Sequence, residues 1–209
     1  MLFRSRFRDA VRRYAQTLDG VVLPLGTVAF SVYEDRSIVG IAAYEACGSM
    51  AHELVHLAIR QNFGDSPAWL EEGLASEVAV ANPGPTQFTF AASWRDAMLK
   101  KQWQLRPSVA QLLAASWASY VAREQSDVDR VAALQAMAAV FIRYLDAQHQ
   151  LVPIYRAVRD SRWTAAASVT KSTEDVVQSV SGKTVAALDA DFVRWFAFKP
   201  AGPTTPPAQ

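Results

Sequence analysis

Two spacings of apolar residues divide this chain. Phe3, Phe7, Val11, Tyr14 and Leu18 recur every three or four positions and predict an amphipathic helix over residues 2–18. Between 21 and 46 the spacing shortens. Apolar, β-rich runs at 21–25, 26–33 and 38–44 read as strands, with Glu34-Asp35-Arg36-Ser37 as a turn. Helical spacing returns at 48–61, where Met50, Leu54, Leu57 and Ala58 are expected to bury the helix. A second helix is predicted over 67–81, with Ser66 as its N-cap, Pro67 at its first position and Asn82-Pro83-Gly84-Pro85 as its stop. After a brief extended piece at 88–90 the pattern stays helical, over 92–103, 108–123, 127–149, 152–160, 173–180 and 185–198. Ser172-Thr173-Glu174-Asp175 has the form of a cap, and Gly182 follows a helix end.

The fold class is therefore α+β: a small sheet packed on two helices, followed by a mostly helical lobe. The chain divides into an N-terminal helix (1–20), a core of sheet and two helices (21–85), a helical lobe (86–200) and a Pro-rich tail (201–209). With 51% apolar and 20% charged residues, the 209-residue chain can bury a core. A net charge of +1 gives no bulk attraction to nucleic acid or anionic surfaces. Arg4, Arg6, Arg8, Arg12 and Arg13 crowd the first helix; they read as a solvated rim, with an anionic membrane surface or a partner as sharper alternatives. No stretch has the length of a transmembrane helix, and no signal peptide is evident, so the expectation is a cytoplasmic protein, or an exported one whose leader was removed. Cys47, the single cysteine, excludes an internal disulfide and reads as a small buried residue.

The chemistry concentrates in His52-Glu53-Leu54-Val55-His56, which contains two of the three histidines. On a helix, residues four apart share a face, so His52 and His56 can aim two imidazoles at one point. Zinc accepts neutral imidazole, and a catalytic zinc keeps three protein ligands with one position open. A third ligand is available on the next helix, at Glu72 in Trp69-Leu70-Glu71-Glu72-Gly73-Leu74-Ala75, since a short loop makes the two helices neighbours.

Together the two motifs resemble the gluzincins, zinc peptidases of the thermolysin and membrane-alanyl-aminopeptidase type, and most closely the small bacterial peptidase MA-like domains. The resemblance covers about residues 26–197, including Arg106 to Leu113 and the stretch from Val177 to Trp195. It is specific only in the two motifs. It implies zinc on His52, His56 and Glu72, with Glu71 at a variable position. It also implies that the strand before the first motif helix, with Gly40, Ile41, Ala42, Ala43 and Tyr44, pairs with an extended peptide substrate.

The implied reaction is peptide hydrolysis. Zinc makes its water acidic, Glu53 takes the proton and returns it to the leaving amine, and a side-chain donor stabilises the oxyanion. The donor is where the chain departs from the family. Leu134, Gln135 and Ala136 stand where relatives often carry a tyrosine; Tyr120 is the nearest substitute, and Tyr155 is another. Ser76 is placed to hydrogen-bond Glu72, Glu77 points away from the site, and His149 reads as a surface residue. The absence of acidic anchors for a free amino terminus favours an endopeptidase acting on a peptide or protein. A catalytically weak zinc module that binds a partner through the same cleft stays open, as does a metal-free structural domain. The sequence leaves the oligomeric state open.

Overall fold

The first motif falls on a helix because nothing between Cys47 and Phe63 interrupts its periodicity, and Arg60 in its last turn suits the helix dipole. The computed structural model describes residues 29–32, 36–40, 47–63, 66–83, 88–122, 124–163 and 172–198. Strand β1 (Ala29–Val32) pairs antiparallel with β2 (Ser37–Gly40), Ala29 opposite Gly40, and the turn between them carries Arg36 at φ 51°. This hairpin lies on helix α1 (Cys47–Phe63). A Cβ on Gly40 would come within 2.9 Å of the Ala29 Cβ on β1 and 2.7 Å of the Met50 sulfur on α1, so a side chain here would have to displace both neighbours.

Helix α2 (Ala68–Val78) carries the second motif. A second, very short hairpin pairs β3 (Asn82–Pro83) with β4 (Phe88–Thr89). Then follow α3 (Trp94–Lys101), α4 (Val109–Ala114), a 3-10 turn at Trp117–Tyr120, α5 (Val128–Ala147), α6 (Leu151–Trp163), α7 (Thr173–Ser181) and α8 (Val185–Ala197). The described part is thus mainly helical with two small antiparallel hairpins, which agrees with α+β in its coarse form. Among the described residues, no helix is long and apolar enough to cross a membrane.

Helix α5 is the centre. Ala133, Ala136, Met137, Ala138, Ala139, Val140, Phe141, Ile142 and Leu145 are all fully buried, so it is apolar nearly all round and enclosed by its neighbours. Its alanines leave room for α2 to lie close against it. The contact point is Gly73, where a Cβ would sit 2.6 Å from Ile142 Cγ1 and 2.7 Å from the Ala138 carbonyl oxygen. The apolar core runs continuously from Ile59 on α1 to Phe196 on α8.

Several expectations change. The predicted helix over 108–123 is two pieces, because Ala115 and Ser116 take extended backbone; this redirects the chain and carries Trp117 and Tyr120 inward. The buried face of α1 is not the one predicted. Leu54 is 59% exposed and Ala58 is exposed, whereas His56, Ile59 and Phe63 are buried. The face that carries His52 and His56 is also the core face of α1, which turns Leu54 outward. Ser66 does not cap α2. Pro67 occupies that position, and the Ser66 hydroxyl is used elsewhere. Helix α2 stops at Val78 rather than 81, the next residues closing with shorter-range bonds. The caps at Ser172 and Gly182 are as read, Gly182 having φ 67°.

The two segments singled out in the lobe are tied together. Arg106 donates two bonds to Asp189, at 2.7 and 3.1 Å, and Asp189 also accepts from the Val109 backbone at 2.9 Å. The predicted helix at 2–18, the strand at 21–25, the side chain of Cys47 and the tail at 201–209 lie outside the described residues.

Candidate metal centre

His52 and His56 stand one turn apart on α1, and α2 crosses that face. Their Nε2 atoms lie 3.0 Å apart. Glu72 Oε2 sits 3.6 Å from the first and 3.7 Å from the second. A tetrahedral ion holding its ligands at about 2.0–2.1 Å sets them about 3.3–3.4 Å apart, so the three observed separations bracket that value. The donor set of two imidazoles and one carboxylate matches the chemistry of a zinc site with an open position. Among the described residues, these three form a group that could hold a metal ion.

The surroundings orient each donor. Glu72 Oε1, the oxygen turned from the histidines, accepts a long bond from the Ser76 hydroxyl at 3.4 Å. Burial pushes the Glu72 carboxyl up, but the charges of His52, His56 and Arg95, with the His52 contact, outweigh it and bring it down to about 2. His56 is 5% exposed. Its burial disfavours a charge, yet the bond to Glu71 and the carboxylates of Glu72, Glu53 and Glu71 leave its pKa raised. Glu53 is half-buried beside the pair, near enough for its charge to act on His56.

Glu71 has a role that the sequence reading missed. It is fully buried, and its Oε1 lies 2.9 Å from His56 Nδ1. The same oxygen accepts from Arg60 Nε at 3.2 Å, and Oε2 accepts from the Ser66 hydroxyl. An ionised Glu71 places the hydrogen on Nδ1 of His56, which turns the Nε2 lone pair toward His52 and Glu72. Burial raises the Glu71 pKa, but the His56 and Ser66 bonds and the nearby positive charges leave it lowered. Arg60 follows His56 by one turn, and that spacing was the available signal for this partner.

Trp117 closes one side. Its ring meets His56 edge-on at 5.7 Å, and the Arg60 guanidinium lies over it at 5.4 Å. Tyr120 packs behind Trp117, ring centres 6.0 Å apart. It is 5% exposed, and its hydroxyl has no hydrogen-bond partner among the described residues. Burial and then the Glu72 charge raise its pKa, so it remains a neutral donor on the Glu72 side. Tyr155 is occupied elsewhere: it packs on Phe63, and its hydroxyl accepts from Asn62 at 2.7 Å, at the far end of α1. Of the expected substrate strand, Gly40 is in place beside α1, while Ile41, Ala42, Ala43 and Tyr44 lie outside the described residues. His149 is exposed, and Glu77 is buried, its carboxyl oxygens without a hydrogen-bond partner among the described residues. Comparison with known proteins finds no family model, no curated protein and no solved structure that matches this chain.

Proposed function

We propose that this chain is a zinc-dependent peptide hydrolase of the gluzincin type, acting as an endopeptidase. One observation carries the reading: two imidazole nitrogens and one carboxylate oxygen meet at 3.0, 3.6 and 3.7 Å, with a glutamate next to the first histidine. His52, His56 and Glu72 would hold the ion. Zinc supplies Lewis acidity there, polarising a carbonyl and lowering the pKa of water.

The rest falls to the chain. Glu53 sits at the rim, where its carboxylate takes a proton from the attacking water. The C–N bond then breaks, and Glu53 passes that proton to the leaving amine. Tyr120, whose neutral, buried hydroxyl has no hydrogen-bond partner among the described residues, would be the donor for the oxyanion that develops on the scissile carbonyl. Glu71 and Ser76 hold a histidine and the ligand glutamate from behind.

The test is a pair of measurements on Glu53→Gln and the parent protein: metal content and turnover of a broad peptide library. The variant is expected to keep its zinc and to lose on the order of a hundredfold or more in turnover. An unchanged rate rejects Glu53 as the base. Zinc in a parent that cleaves nothing supports a peptide-binding module instead. The buried Leu134 and Ala136 at the expected tyrosine position are the observation that favours that second reading.

A further inference from the structure

Glu71 faces His56 from the side opposite the candidate ligand atoms. An imidazole has two nitrogens, and here a different carboxylate addresses each one. Glu72 Oε2 lies 3.7 Å from Nε2, and Glu71 Oε1 lies 2.9 Å from Nδ1. Neighbours on a helix point about 100° apart, so α2 can present both carboxylates to one ring only by crossing α1 at this point. Glu71 is itself fixed. It is fully buried, it receives Arg60 from α1, and it receives the Ser66 hydroxyl from the connection between the helices. Among the described residues, no carboxylate is hydrogen-bonded to His52 Nδ1.

From this geometry we infer that Glu71 is a positioning residue, which fixes the tautomer and ring orientation of His56 and so prepares one ligand before metal arrives. The inference rests on the metal reading above. His56 is then the prealigned ligand. Loss of such an outer partner weakens metal binding by about 10- to 100-fold.

Zinc affinity, measured by competition with a chromogenic chelator, tests this on the full chain. Glu71→Ala is expected to bind zinc 10- to 100-fold more weakly than the parent. Glu71→Gln, whose amide oxygen can still accept the Nδ1 hydrogen, is expected to recover most of that loss. Ser66→Ala, which removes only the support at Oε2, is expected to lose less than Glu71→Ala. Nitrogen-15 NMR of the histidine rings supplies a readout that a merely structural role would not move. In the zinc-loaded parent, His56 is expected to carry a slowly exchanging hydrogen on Nδ1 with the metal on Nε2, and Glu71→Ala is expected to lose that protection.

Parent-like affinity in a folded, zinc-loaded Glu71→Ala overturns the inference while leaving the metal site standing. A parent that takes up no zinc overturns the metal reading and this inference with it. If Glu71→Ala does not fold, the parent spectrum decides: metal on Nδ1, or a rapidly exchanging Nδ1 hydrogen, overturns the inference.

Discussion

Glu77 is expected to make this protein less stable as pH rises, and replacing it with glutamine should reverse that. Its side chain is completely buried on α2, and neither carboxyl oxygen has a hydrogen-bond partner among the described residues. Burial pushes its pKa up from 4.5 to about 7; the charge of Arg143 opposes this, Asp96 adds to it, Arg95 opposes it and Asp146 adds to it. An acid whose pKa is higher in the folded state holds its proton more tightly there than in the unfolded chain. Stability is then unaffected below about pH 4.5, falls between 4.5 and 7, and stays reduced above. The rise corresponds to roughly 3 kcal/mol at the alkaline plateau. Glu77→Gln keeps the shape and removes the titration. Urea unfolding at pH 5 and pH 8.5 measures the difference. The two proteins should be within about 1 kcal/mol at pH 5, and the variant should be more stable by up to roughly 3 kcal/mol at pH 8.5. Parallel pH dependence in the two proteins would refute the argument, because it would mean that Glu77 ionises as readily folded as unfolded.

Three further substitutions probe separate parts of the molecule. Gly73→Ala forces a methyl group against Ile142 and the Ala138 carbonyl, and thermal unfolding should show a loss of about 1–3 kcal/mol or more. Arg143→Met strands Asp96, which is 1% exposed and pairs with that guanidinium while capping α3 through the Ser93 backbone. Removing one partner of a buried pair costs about 3–5 kcal/mol, read from urea unfolding. Tyr120→Phe should leave zinc content unchanged and lower turnover by about 100- to 1,000-fold, the usual cost of one oxyanion donor; a parent-like rate would return Tyr120 to a packing role.

How much of this was legible beforehand depended on the range of the information. The two helices that carry the candidate ligands were readable because their signals are local: a four-residue spacing for the histidines, and a clear break before Pro67. Helix α5 was readable because twenty residues carry its pattern from Val128 to Ala147. The buried face of α1 was not. Leu54 is more apolar than His56, so any reading by hydrophobicity puts it inside, but the core needs the face on which Ile59 and Phe63 fall. The break at Ala115 and Ser116 was also hidden. Both residues are compatible with a helix, and the turn is explained by what it brings together: Trp117 against His56, and Tyr120 behind it.

The two adjacent glutamates show the limit most clearly. In Glu71-Glu72, chemistry alone offers two equal carboxylates, and helix position together with the resemblance favoured Glu72. The fold separates them by geometry rather than by type. Where α2 crosses α1, one carboxylate falls on the Nε2 side of His56 and the other on its Nδ1 side. The first keeps an oxygen directed at both histidines; the second is enclosed by Arg60 and Ser66, with its oxygens occupied. A serine that reads as a helix cap is used instead to hold that buried acid. Pro67 takes the cap position instead, with no side-chain bond to the helix end. The local rule for Ser66 therefore gave way to the need to satisfy a buried charge. That need arises only once the crossing of the two helices has formed.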